Sequence, residues 1–228
     1  MKTKYCLPII KKTEQEVMHM IYGSIGKYAY FEVWLDYIDQ LDETFIEKLE
    51  ELLKKRLILL FRRQKLEKMH MDLGKRLKII SRLNGRSFID LDVFDQKQEL
   101  DYIKNNKLRV RTIVSYHNYK ETPSDEKLKE IIDTMQLYKP EIIKISTFCN
   151  SQKDALRLLH LLLELKERKK RCIVLGMGEF GNITRIFGTL WGNEMVFAPQ
   201  VSKEQSAKGQ LTRKQLERIF GELNFFNI

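Results

Sequence analysis

The chain has 228 residues, 43% apolar and 32% charged, with only 11 glycines and 4 prolines. That is the make-up of an ordinary globular protein and excludes the disordered, collagen-like and low-complexity classes. No apolar stretch approaches the roughly 20 residues of a membrane span, and Met1 to Pro8 carry neither the apolar core nor the cleavage site of a signal peptide, so a cytoplasmic location is expected.

The formal net charge of +10 invites a polyanionic partner. Along the sequence, however, the basic residues are spread over the whole chain. The densest run, Lys166 to Arg171, closes a helical segment, where cations suit the helix dipole. An anion-attracting field around a site for a small acidic substrate accounts equally well for the surplus, so neither nucleic acid nor a membrane is expected as partner. The cysteines Cys6, Cys149 and Cys172 are odd in number and widely spaced, which excludes a disulfide framework or zinc cluster. Cys6 and Cys172 read as small buried apolar residues.

In chain order, an apolar strand at residues 5–10 precedes helical periodicity over 13–24, which opens on Thr13-x-x-Glu16, a capping-box pattern. Strands at 30–37, 57–62, 87–94 and 110–117 then alternate with helices at 43–55, 71–83, 97–105 (the weakest) and 124–138, the last reached through Pro123-Ser124. Strands at 141–147, 172–177 and 195–199 and helices at 151–168, 181–191 and 212–225 complete the chain, with caps at Ser151-x-x-Asp154 and Thr212-x-x-Gln215. Eight strands alternating with eight helices, without a linker, predict a single (β/α)8 TIM barrel over residues 1–228, an α/β fold. A doubly wound open sheet is the competitor, but it more often shows a glycine-rich first turn, absent after Ile10.

Lys144 stands out, because it interrupts an apolar β-branched run, Ile142-Ile143-Lys144-Ile145. An ammonium there is costly unless it is paired to a carboxylate or kept near neutrality as an amine nucleophile. Other polar residues gather toward strand ends: Glu32, Trp34 and Asp36 on one face, Arg62 and Arg63, Asp90 and Asp92, and His117. Each has a structural explanation alone, Asp90 and Asp92 as barrel-floor ion pairs for example. Together they would converge on the C-terminal mouth of a barrel, where active sites sit. An amine that forms an imine with a ketone and a histidine that moves protons near pH 7 suit Schiff-base lyase or aldolase chemistry. A metal site is not expected, since His19, His70 and His160 fall in helical segments.

These residues resemble type I 3-dehydroquinate dehydratase, the imine-forming dehydratase family of the shikimate pathway. The resemblance runs over nearly the whole chain: Glu32-Val33-Trp34-Leu35-Asp36, Phe88-Ile89-Asp90-Leu91-Asp92, Val114-Ser115-Tyr116-His117-Asn118, Ile142-Ile143-Lys144-Ile145, Gly176-Met177-Gly178, Thr184-Arg185 and Ser206-Ala207-Lys208-Gly209-Gln210. It implies that Lys144 forms the imine with the ketone of 3-dehydroquinate and that His117 moves the protons, oriented by Glu67. Arg185, Ser206 and Gln210 would hold the substrate carboxylate, Glu32 and Arg63 the ring hydroxyls, and Met177 would pack on the ring. It further implies no cofactor, no metal and a homodimer.

Several positions depart from the family pattern. Trp34 stands where the family has arginine, Asp92 where it has glutamate, and Lys208 where it has proline. The segment after the third strand lacks the family's glycines, and a one-residue shift would nominate Arg62 in place of Arg63. Two alternatives therefore stay open: imine chemistry on a different keto acid, and a non-catalytic basic binding protein.

Overall fold

The computed structural model describes residues 3–61, 71–207 and 209–223. Its strands are β1 (Tyr5–Ile9), β2 (Tyr30–Trp34), β3 (Leu57–Leu60), β4 (Phe88–Asp92), β5 (Arg111–Asn118), β6 (Ile142–Phe148), β7 (Cys172–Met177) and β8 (Val196–Phe197). The helices that alternate with them are α1 (Glu14–Tyr22), α2 (Glu43–Leu53), α3 (Leu73–Arg82), α4 (Lys97–Asn105), α5 (Asp125–Gln136), α6 (Gln152–Glu167), α7 (Asn182–Leu190) and α8 (Arg213–Glu222). Every ladder is parallel. Neighbours in space follow chain order from β1 to β7, and β8 lies beside β1. Between β7 and the start of β8 the Glu194 N–H donates to the Cys172 carbonyl at 2.9 Å, so the sheet curls into a nearly closed (β/α)8 barrel.

The pleat sorts the apolar residues into two cores. One face of each strand packs on the helices, through residues such as Leu7, Leu59, Ile89, Val114, Ile143 and Val174. The other fills the barrel with Cys6, Ile58, Phe88, Ile113, Ile142 and Ile173. This two-sided burial explains why the strands read as continuous apolar runs. Thr13, Ser151 and Thr212 each form the capping box that the sequence predicts. All three cysteines are buried and free.

Two predicted elements change. The second strand stops at Trp34, because Leu35–Tyr37 turn as a 3-10 segment closed by Ile38 N–H to Leu35 O, with Tyr37 edge-on to Trp34. Asp36 consequently leaves the face it was predicted to share with Glu32 and Trp34. The eighth strand shrinks to two residues.

Below the apolar layer a polar floor closes the N-terminal end. Arg111 donates twice to Glu141, both at 2.7 Å, and its guanidinium covers the Phe88 ring at 3.8 Å. Arg171 pairs with Glu141 and Glu194, and Glu194 also accepts from Lys4 at 2.8 Å. Around this floor the chain passes from helix to strand after α2, α4, α5 and α6 through a residue with φ of 50° to 56°. Each time it is a lysine: Lys54, Lys107, Lys139 or Lys169. Glycine is the usual occupant, because the left-handed region costs an L-residue about 1–2 kcal/mol.

Candidate active site

Alternation along parallel strands aims Glu32, Asp90, Asp92, Ser115, His117, Lys144 and Ser146 into the C-terminal half of the barrel. The β5–β6 register sets Ser115 opposite Lys144 and His117 opposite Ser146, so Lys144 and His117 lie on adjacent strands, one pleat apart. A cavity opens there, lined by Glu32, His117, Lys144, Met177, Arg185, Ser206 and Gln210, with Tyr119, Leu175 and Phe197 among its apolar walls. It thus gathers seven of the nine residues singled out from the sequence. Arg63 and Glu67, and the alternative Arg62, lie outside the described residues.

Lys144 is 5% exposed and its ammonium is ion-paired. Asp90 Oδ2 lies 2.6 Å from Nζ and Glu32 Oε1 3.4 Å, and the Phe197 ring centroid is 4.4 Å away. Asp90 is fully buried and accepts a second bond, from Ser115 Oγ at 2.5 Å. The two readings of a lysine in this strand are therefore not exclusive: the candidate nucleophile rests in an ion pair. The other glutamate oxygen, Oε2, accepts from Trp34 Nε1 at 3.2 Å, so the tryptophan meets the same carboxylate from the side.

His117 is anchored by Asp92. Oδ2 of Asp92 lies 3.0 Å from Nδ1 and accepts the His117 backbone N–H at 3.1 Å. Oδ1 accepts the N–H groups of Phe94 and Asp95, which fixes the carboxylate at the end of β4. With Nδ1 facing Asp92, Nε2 lies on the far side of the imidazole, and Tyr119 stacks on the ring at 6.1 Å. Asp90 and Asp92 are accordingly not floor pairs. They sit at the mouth, on the lysine and the histidine. The sequence held the signal, two aspartates one pleat apart at a strand end, but it does not state which strand each would face.

Arg185 enters from α7 and is 2% exposed. Its Nε and Nη2 are buried without a hydrogen-bond partner among the described residues, and burial pushes its pKa down to about 10. A buried guanidinium with unmet donors is costly and complements an anion. The loop over it is braced from within: Gln210 donates to Ser206 Oγ at 2.8 Å and accepts the Ser206 N–H at 2.9 Å. Gly209, at φ +80°, lets the loop close on the β7–α7 turn, where an added Cβ would lie 2.8 Å from Gly178 O and 2.6 Å from Asn182 Oδ1. Beneath the cavity, burial first and then the Glu32 charge push the Cys6 thiol well above its ordinary range.

Comparison with known proteins agrees with this geometry. The 3-dehydroquinate dehydratase of Coxiella burnetii is 26% identical over 226 residues, covering 95% of this chain and 92% of its own length. That of Methanococcus vannielii is 29% identical over 223 residues, covering 94% and 97%. In fold, the chain is similar to the crystal structure of 3-dehydroquinate dehydratase from Geobacillus kaustophilus, with a TM-score of 0.83 at 18% identity over 100% of this chain and 93% of that one. The family model of type I 3-dehydroquinase matches residues 5–224, and the chain belongs to that family.

Proposed function

We propose that this chain dehydrates 3-dehydroquinate to 3-dehydroshikimate, a hydro-lyase reaction through a lysine imine. The observation that carries the reading is the meeting in one buried cavity of an amine on β6, a histidine on β5 and a guanidinium with unmet donors. Lys144 first gives a proton to Asp90, its nearest carboxylate, and the free amine adds to the C3 ketone. Asp90 returns the proton as the carbinolamine loses water, leaving a protonated imine. His117 then takes a C2 proton through Nε2, the imine holds the electron pair as an enamine, and the C1 hydroxyl departs as water with the proton from His117. Hydrolysis of the imine releases product and restores the ammonium.

Arg185, Ser206 and Gln210 hold the substrate carboxylate in this reading, Met177 packs against the ring and Glu32 receives a ring hydroxyl. Arg63 and Glu67 keep the roles the resemblance gives them, and Asp92 adds an anchor on His117. No cofactor or metal takes part. A second reading, imine chemistry on a keto acid with fewer hydroxyls, draws support from Trp34, whose indole occupies one oxygen of Glu32.

The chain acts as one catalytic barrel over its length, as a cytoplasmic homodimer. Exposed Leu156 and Leu163 on α6 and Ile183 on α7 offer an apolar face for the second copy, which light scattering after gel filtration tests. The reaction itself is tested by incubation with 3-dehydroquinate and borohydride. A covalent adduct at Lys144, absent from Lys144→Ala, is expected. No adduct and no conjugated-enone product would defeat the proposal, and turnover of another keto acid in preference would select the second reading.

A further inference from the structure

We propose that the N-terminal rim of the barrel, opposite the imine site, docks on an anionic membrane surface. The fold partitions charge between the two ends of the barrel in a way the linear sequence conceals. The connections from helix to strand, all at the N-terminal end, carry twelve Lys or Arg and two Glu, whereas the described connections from strand to helix carry four Lys and eight Asp or Glu. Both glutamates of the rim, Glu141 and Glu194, are engaged by Arg111, Arg171 and Lys4. Of the twelve cations, Arg171 is used in those pairs and Arg56 donates to the carbonyls of Ile25, Tyr28 and Ala29. The other ten are exposed and form no ion pair among the described residues.

Helix-dipole complementarity is the plain explanation for cations near helix C-termini. It asks for a charge in the last turn and is met as well by a lysine in relaxed helical backbone. Here four of the corners place lysine at left-handed φ, where glycine is free of strain. The chain accepts that strain at Lys54, Lys107, Lys139 and Lys169 and gains outward charge at four corners of one rim.

The shape of the patch selects the partner. The exposed cations occupy six consecutive corners, from the one before β2 to the one before β7, so they form a broad arc at one level of the barrel rather than a stripe. A planar polyanion meets the whole arc at once, while a rod-like duplex meets a strip of it. The same rim exposes three large amphipathic or apolar side chains at helix ends: Tyr22 (59%), Leu137 (63%) and Trp191 (43%). Cations for lipid phosphates with scattered Tyr, Trp and Leu for the acyl boundary is the chemistry of interfacial binding. The three lie at the ends of α1, α5 and α7, on separate corners, and so make no platform for successive bases of one strand.

Co-sedimentation of the full chain with vesicles tests this. Binding is expected to phosphatidylcholine vesicles containing about a third phosphatidylglycerol, none to pure phosphatidylcholine, and release as salt rises. Changing Lys54, Lys107, Lys139 and Lys169 together to Gln should weaken binding roughly 10²- to 10³-fold, at about three- to sixfold per charge. Leu137→Ser with Trp191→Ser should weaken it at unchanged charge. Both variants lie away from the imine site and should keep full turnover of the substrate, which also reports their folding. Equal sedimentation with both vesicle types, or an unaffected four-lysine variant, overturns the proposal. Tighter binding to a short DNA duplex than to the anionic vesicles at equal salt replaces it with a nucleic-acid surface.

Discussion

The two ends of this barrel handle charge by opposite rules. At the C-terminal mouth the charged groups are buried and convergent. Lys144 has Asp90 and Glu32, His117 has Asp92, and Arg185 holds donors that nothing in the described protein meets. At the N-terminal end the partly buried Arg111, Glu141, Arg171 and Glu194 pair with one another in the floor network, and ten further cations stand exposed to solvent. A surplus of +10 was expected to serve equally as a field around the site for an acidic substrate. Among the described residues the fold puts ten exposed cations without an ion pair at the other end, and in the cavity Arg185 is the cation with donors open to a substrate carboxylate. The lesson is that net charge says little about a site until the fold has sorted it.

The sharpest way to break this contrast is to empty the mouth of its amine. Lys144→Met should cost turnover at least about 10⁴-fold, since the nucleophile is gone. It should also cost roughly 3–5 kcal/mol of stability in urea unfolding, because the fully buried Asp90 carboxylate loses the ammonium at 2.6 Å. Adding Asp90→Asn should return much of that stability and none of the turnover. A Lys144→Met variant with wild-type stability would show that the pair is not buried as described.

Removing the anchor of the histidine comes next. Asp92→Asn should lower kcat about 100-fold with KM nearly constant, since it touches His117 and not the substrate. Asp92→Glu should lower kcat less. An equal loss in kcat and rise in KM would argue for a general distortion of the mouth instead. Arg185→Met follows, with the two readouts moving in opposite senses. KM should rise roughly 30-fold, while stability holds or increases by about 1–2 kcal/mol, because donors buried without partners disappear. A fall in stability would mean that Arg185 is satisfied in the free protein.

Much of the fold is legible in the amino-acid sequence. Strands buried on both faces are unbroken apolar runs, helices carry their caps in the chain, and eight alternations leave few architectures. The candidate nucleophile was legible for the same reason: Lys144 violates a strand pattern in which every neighbour obeys it. Its partners were not. Whether Asp90 serves a floor or a mouth depends on strand stagger around the barrel, which no local pattern encodes. The end of β2 is hidden in the sequence because Leu35-Asp36-Tyr37 continues the alternation while its backbone turns, with Tyr37 edge-on to Trp34. The basic rim was illegible for a deeper reason. Its lysines are far apart in sequence and meet only because parallel strands bring every helix-to-strand corner to one end.

The smallest effect belongs to the floor, and it tests whether the two ends are independent. Glu141 is held below the usual carboxylate range, first by its hydrogen bonds from Arg111, against the opposing push of burial. Glu194 is also held below that range: burial pushes it up, and Arg171 and Lys4 outweigh that push. A carboxylate whose folded pKa lies below its unfolded one contributes stability that is fully present above the unfolded pKa. That stability is lost as pH falls through the folded value. Acidification from about pH 5 to pH 3 should therefore cost the wild type more stability than it costs Glu141→Gln, by about 1 kcal/mol once solvent screening of this partly exposed group is allowed for. Turnover of Glu141→Gln at neutral pH should equal that of the wild type, because the apolar layer of Ile58, Phe88, Ile113 and Ile142 separates floor from mouth. A change in kcat would show that charge at one end of the barrel is felt through that layer at the other, and the separation between chemistry and surplus charge would fail.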